Sequence, residues 1–365
     1  MTETPFSISI PDEKLELLRK KLELTTLPDE LEDSGWKYGP PLGDIKRLVA
    51  RWRDGFDWRA KEAILNEELP QFTRDIQVQG HGTLNIHYVH QKSSVAAAIP
   101  LLFMHGWPGS FIEVQKILPL LTASSPDYPT FHVVALSLPG YGFSQATKKQ
   151  DFKTGQHAEV GNKLMVSLGY DKYGGDWGAI ITRKLSSLFG GAHSQAWHVN
   201  MPRVRPPTIY QPLLYLRHML TPYTETERLG LERTKWFENQ GRGAIHSLIP
   251  PVGLLSWIYE KLVNWSDSYP WDDDEGPTAS IRLYYEYTQS KDRVLTKEPT
   301  IPLEVRCYPR LWSLTEGNLV FESEHTSGGH FAAHEKPQEL VDDLRKMFGK
   351  DGPAFGVVPG RTGYL

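Results

Sequence analysis

The chain has 365 residues, a formal net charge of -4 at pH 7 and a single cysteine, Cys307. That balance argues against nucleic acid or an anionic membrane surface as partner, and one cysteine excludes an intramolecular disulfide framework. No stretch approaches the roughly 20 apolar residues of a membrane-spanning helix, and the opening residues lack the basic and apolar blocks of a signal peptide. The expectation is a soluble, cytoplasmic protein without a transmembrane anchor, built as one large α/β core with an insertion.

Residues 1–75 read as an N-terminal helical meander that wraps the core. Pro11-Asp12 opens a charged amphipathic helix with Leu15, Leu17, Leu18 and Leu22 near helical spacing, and two further helices break at Gly55. Trp52, Phe56 and Trp58 are expected to pack inward. From residue 76 the pattern changes. DIQVQ and LNIHYVH predict a hairpin around Gly80–Gly82, and IPLLFMHG is the continuous apolar run of a buried parallel strand. FHVVALSLPG and QAWHVNMP read as further strands, with helices at about 110–121, 154–168 and from Ala179. This β-α-β-α alternation predicts a mostly parallel, doubly wound sheet with helices on both faces, over 76–202 and again over 296–350. Residues 203–295 show helical periodicity without strands and are read as a helical lid inserted into the sheet domain. WDDDEG, Trp271–Gly276, reads as a solvated loop rather than a cation site. The Gly/Pro-rich tail, 351–365, is expected to be poorly ordered.

The pentapeptide GGDWG, Gly174–Gly178, carries the chemistry. It has the form of G-x-S-x-G, the sharp strand-to-helix turn that exposes a nucleophilic serine, with Asp176 in the serine's place. A carboxylate attacking acyl carbon would form a strained anhydride, so it suits displacement at saturated carbon. The product is an alkyl ester of Asp176 that water can cleave. Epoxides and halides are the substrates this chemistry implies. A glycine-rich surface turn with an ordinary aspartate is the alternative. No H-E-x-x-H or comparable spacing occurs, so neither a metal nor another cofactor is expected.

PFSISIPDEKL, GFDWRAKEAILNEELPQF, HGWPGSF, SLPGYGFS, GGDWG, SIRLYYEYT and GGHFAAHEKP together resemble the epoxide hydrolases of the α/β-hydrolase superfamily. The likeness is to the microsomal-type branch with its soluble fungal members, and it covers almost the whole chain. It implies an α/β-hydrolase fold and hydrolysis of an epoxide to a vicinal diol. It implies Asp176 as nucleophile, His330 of GGHF as the base that activates water, and Glu304 as the acid that orients the histidine. Glu316, Glu322 and Glu324 are rival acids. The Trp107 and Trp177 amides would form the oxyanion hole. Tyr284 would hydrogen-bond the epoxide oxygen, with Tyr285 as its one-residue alternative, and both would line the substrate site beside Trp107. The partners are an apolar epoxide and water; the lid and meander offer surface for a homodimer.

The chain also departs from the family. A second lid tyrosine has no match, and Arg242 or Gly243 stands at its position. Only GYDKY separates the preceding helix from Gly174, so the strand feeding the elbow is short. Pro299 and Pro302 interrupt the strand before Glu304. Two alternatives follow: a haloalkane-type dehalogenase, whose tryptophan after the aspartate holds the halide, and a catalytically impaired homologue that binds an apolar metabolite.

Overall fold

The computed structural model describes residues 3–365 apart from 28, 34, 37–38, 175–178, 201–203, 237–254, 257, 260–302, 306–308 and 326. The chain divides into two compact units. The smaller comprises Ser7–Glu68 and Arg233–Pro277, and the larger Met1–Phe6, Leu69–Glu232 and Thr278–Leu365. In the smaller unit, α1 (Asp12–Glu23), α2 (Leu42–Ala50) and α3 (Trp58–Glu68) follow in order. Leu22, Ile45, Val49 and Tyr259 form its buried cluster, with Leu18 and Trp52 packed against it. Leu18 and Leu22 thus mark the inward stripe of α1, whereas Leu17, read with them from the sequence, is exposed because it falls off that face.

The larger unit is built on a sheet in the order β1-β2-β3-β5-β4. Its strands are β1 (Thr4–Pro5), β2 (Gln71–Val78), β3 (Gly82–Gln91), β4 (Ile99–Met104) and β5 (Phe131–Leu136). The first three and β5 pair antiparallel; β4 joins β5 in parallel. The β2–β3 hairpin turns through Gly80 and Gly82, both at positive φ that a side chain would resist. Every residue of β4 and β5 is buried, as covered parallel strands require.

Two helices cover opposite faces. α4 (Leu118–Thr122) precedes β5, and α5 (Thr154–Ser167) follows it. A Cβ on Gly161 of α5 would lie 3.2 Å from Leu102 and 3.3 Å from Met104, so α5 rests on the even-numbered face of β4. After α6 (Ala179–Phe189), β6 (Trp197–His198), α7 (Pro212–Leu220) and α8 (Glu225–Trp236) come β7 (Leu303–Val305), α9 (Arg310–Ser313), β8 (Leu319–Glu322), α10 (Ala332–Glu335) and α11 (Pro337–Phe348). Phe348 of α11 meets Phe131 edge-on, with centroids 5.8 Å apart. Phe131 is in register with Ile99, so α11 lies on the odd-numbered face.

β6, β7 and β8 form a second, parallel sheet. Tyr173 and Gly174 link the two sheets. Gly174 bridges Leu101 of β4 and Tyr173 bridges Ser194, both in parallel. The Gly174 N–H donates to the Pro100 carbonyl at 2.9 Å, and the Tyr173 carbonyl accepts from Gln195 at 2.8 Å. The short elbow strand read from GYDKY is thus a two-residue link between the sheets. Of the residues read as the lid, α7, α8 and the helical residues 255–256 and 258–259 lie among the described residues; the rest of the helices read there, and Trp271–Gly276, lie outside them.

The tail corrects an expectation. It is tied down rather than loose: Gly363 donates to the Ala97 carbonyl and accepts from the Thr130 N–H, each at 2.8 Å. Ala354, Val358 and Tyr364 are buried. Gly363 serves close approach, since a Cβ there would lie 2.5 Å from Pro129.

Candidate functional site

Gly174 ends the strand and Ala179 begins α6, so Asp176 and Trp177 fall between a strand and a helix, the context of a nucleophile elbow. Asp176, Trp177, Tyr284 and Tyr285 themselves lie outside the described residues, as do Arg242 and Gly243. At Gly174 a Cβ would stand 2.8 Å from the Phe348 ring and 3.5 Å from Ile99, so only glycine fits there. This is the crowding the glycine pattern implied.

The HGWPGS turn leaves the end of β4. His105 is buried, its Nδ1–H donates to the Gly106 carbonyl at 3.0 Å, and its Nε2 accepts the Leu138 N–H at 3.2 Å. Those two bonds require the neutral Nδ1–H tautomer, and burial holds the ring's pKa down to about 4. His105 therefore ties the end of β4 to the segment after β5 without carrying charge. Trp107 is buried, and its bond to Pro108 is cis. The Glu113 carboxyl lies against Gly109, where a Cβ would collide with Oε1. Burial pushes that carboxyl up to about 8, opposed by a hydrogen bond from the Ser110 backbone.

His330 is half-buried, with its ring edge-on to Phe331 at 4.9 Å. The two peptides beside it are held by one carboxylate. Glu335 accepts the Gly329 N–H at 3.1 Å on Oε2 and the Phe331 N–H at 3.0 Å on Oε1. α10 packs against the turn Phe111–Val114, and Lys116 Nζ lies 3.1 Å from His334 Nε2. α10 thus brings the His330 segment against the turn that follows Trp107, while Gly174 pairs beside Leu101 of β4.

Glu304 occupies the middle of β7, opposite His198 of β6 and Phe321 of β8. The β8 register shifts between Leu303 and Glu304, a bulge of the kind that often lies beside active sites. Two of the rival acids are engaged elsewhere. Glu316 is buried with its carboxylate 2.9 Å from Arg183 of α6, and Glu322 pairs with Arg310 at 3.1 Å. Glu324 is exposed.

Sequence reading did not single out the supports of this loop. Asp343, fully buried on α11, accepts from Ser323 at 2.8 Å and lies 2.7 Å from His325 Nε2. For Glu335 a signal existed: an acid four residues past Phe331 stands one helical turn from the peptide it caps. Among the described residues no group of three or more His, Cys, Asp or Glu is placed to hold a metal, and no helix is long and apolar enough to cross a membrane.

An open mixed sheet covered by helices, with GGDWG between a bridge residue and a helix, points to the α/β-hydrolase class. Residues 99–196 match the family described as alpha/beta hydrolase fold, and residues 3–114 match that described as Epoxide hydrolase N terminus. Epoxide hydrolase 1 of Sus scrofa is 31% identical over 94% of this chain and 88% of its own length. The solved structure of Aspergillus niger epoxide hydrolase is 30% identical, with a TM-score of 0.74 over 94% of this chain and 95% of that one. The juvenile hormone epoxide hydrolase of Bombyx mori has a TM-score of 0.78 at 25% identity, over 94% and 93%. The chain belongs to the epoxide hydrolase family of α/β-hydrolases. The Sus scrofa alignment runs over 408 residues, more than this chain contains, so that relative carries residues this one lacks.

Proposed function

We propose that the chain hydrolyses an apolar epoxide to a vicinal diol through an ester on Asp176. The observation that carries this reading is an aspartate in the elbow of a chain whose relatives are epoxide hydrolases over nearly its whole length. In the first step an Asp176 carboxylate oxygen attacks an epoxide carbon and the C–O bond breaks. Tyr284 hydrogen-bonds the ring oxygen and stabilises the developing alkoxide, which takes up a proton to become the first hydroxyl. In the second step His330 takes a proton from water, and the resulting hydroxide attacks the ester carbonyl. The Trp107 and Trp177 amides stabilise the tetrahedral oxyanion; one such donor contributes roughly 3 kcal/mol. Collapse breaks the ester C–O bond; the leaving alkoxide takes the proton held by His330, and the acid proton of Asp176 passes to solvent, replacing the one the first hydroxyl took from it, so that diol and carboxylate are restored. Glu304 holds the histidine's tautomer and stabilises its cation.

With Arg242 or Gly243 in place of the second lid tyrosine, stabilisation of the opening oxygen rests on Tyr284. Neither a dehalogenase nor a repurposed binding role is favoured by the relatives. A cytoplasmic location and a homodimer belong to the same reading.

The test is intact-mass spectrometry of His330→Gln mixed with aryl and alkyl epoxides and chloroalkanes. The expected result is a substrate-sized mass gain from an epoxide that maps to Asp176. Asp176→Ala should lose turnover by on the order of 10^3-fold or more. Diol formation at full rate by Asp176→Ala would overturn the mechanism.

A further inference from the structure

Glu335 lies outside the triad that the family resemblance implies, yet it holds both peptides adjoining the proposed base. Its two oxygens accept separately, Oε1 from Phe331 at 3.0 Å and Oε2 from Gly329 at 3.1 Å. Both bonds are charge-assisted, and such bonds are roughly twice as strong as neutral ones. The backbone of residue 330 is thereby fixed from either side by one side chain that is itself anchored in α10. Gly328 lies just upstream at φ +119, a conformation that side chains resist, and a Cβ there would lie 3.3 Å from Lys336. The loop therefore enters the clamp through a glycine and leaves it through a helix. A general base must lie within hydrogen-bond reach of the proton it takes, and errors near 1 Å can cost about 10²-fold.

We propose that Glu335 is a positioning residue whose carboxylate clamp sets the place of the His330 imidazole for the water-activating step. The proposal rests on the reading of His330 as the base of ester hydrolysis. Ester formation involves Asp176 and the epoxide but not that base. Loss of the clamp therefore slows the second step and spares the first.

The two steps separate kinetically. For a reaction through a covalent ester, kcat/KM reports binding and ester formation, whereas kcat reports hydrolysis once that step is slower. Glu335→Ala, Glu335→Gln and His330→Gln are to be compared with the unsubstituted protein using styrene oxide. Initial rates, single-turnover mixing with intact-mass readout and thermal melting are measured for each. For Glu335→Ala the expected result is a fall in kcat of about 10- to 100-fold. KM should fall in parallel, kcat/KM should stay within about threefold, and ester should accumulate in single turnover. Glu335→Gln keeps one acceptor oxygen but presents an amide N–H to the other donor, and should give a smaller effect in the same direction. It also serves as the measured variant if Glu335→Ala does not fold.

A merely structural glutamate would lower kcat and kcat/KM together, in line with the folded fraction, and no ester would accumulate. That result, or unchanged kinetics, overturns the proposal. His330→Gln separates the two readings. If it accumulates ester and the Glu335 variants do not, the clamp alone is wrong. If it too shows none, the role of His330 is wrong and the clamp falls with it.

Discussion

Gly174 is the residue at which sequence, packing and chemistry meet. It links β4 to the second sheet, and the Phe348 ring occupies the place of its missing Cβ. Gly174→Val should destabilise the fold by about 1–3 kcal/mol through overpacking, read as a lower urea midpoint. Because Asp176 lies two residues on, the substitution should also lower kcat by more than the unfolded fraction explains. Pairing it with Phe348→Leu should recover part of both losses, since contacting residues couple. Strict additivity of the two substitutions would show that the ring does not set the elbow. The Glu316–Arg183 pair is a second case in which context decides. A glutamate that sequence leaves as a rival acid is buried against a cation on α6.

Among the elements, the tail and the elbow strand carry the least regular structure and the most positional consequence. The tail contributes no helix or strand, yet Gly363 bonds to Ala97 and Thr130, just ahead of β4 and β5, and Tyr364 is buried. Deleting Arg361–Leu365 removes two backbone hydrogen bonds of about 1 kcal/mol each and a buried aromatic of about 1.5–3 kcal/mol. The expected loss is about 3.5–5 kcal/mol in urea unfolding; an unchanged midpoint would show that the tail contacts contribute nothing. The elbow strand keeps only two bridge residues, and the sheet is carried across that point by hydrogen bonds on both sides of Tyr173 and Gly174. A short link suffices because the neighbouring strands are fully buried and laterally paired.

For the whole molecule, buried titratable groups dictate how stability follows pH. Burial lowers the pKa of His87 and His157 to about 3 and of His105 and His132 to about 4. The unfolded chain binds protons at these sites below about 6.5, whereas the folded chain does so only near 3–4. Their contribution is therefore complete above about 6.5 and is lost as pH falls toward 3–4, at roughly 1 kcal/mol per unit each. Glu113 acts oppositely: its carboxyl is raised to about 8, so stability declines as pH rises from about 4.5 to 8. Between about 4.5 and 6.5 these four histidines oppose one glutamate and the net slope is upward. Urea midpoints from pH 4 to 9 should peak near pH 6.5, and Glu113→Gln should flatten the decline on the alkaline side. A midpoint that kept rising to pH 8 would contradict this balance.

Sequence by itself determined the class and the chemistry. The apolar runs IPLLFM and FHVVAL, the hairpin glycines and the aspartate in GGDWG are local signals, because strand burial, turn conformation and nucleophile type each depend on a few adjacent residues. Even the shortness of the elbow strand was legible in GYDKY. Only the tertiary structure decided that Phe348 fills the space at Gly174, that Arg183 engages Glu316, and that the Gly/Pro-rich tail is held at Ala97 and Thr130. Each of these joins residues far apart in the chain. Side-chain periodicity tells which face a residue occupies, but packing decides what lies opposite it.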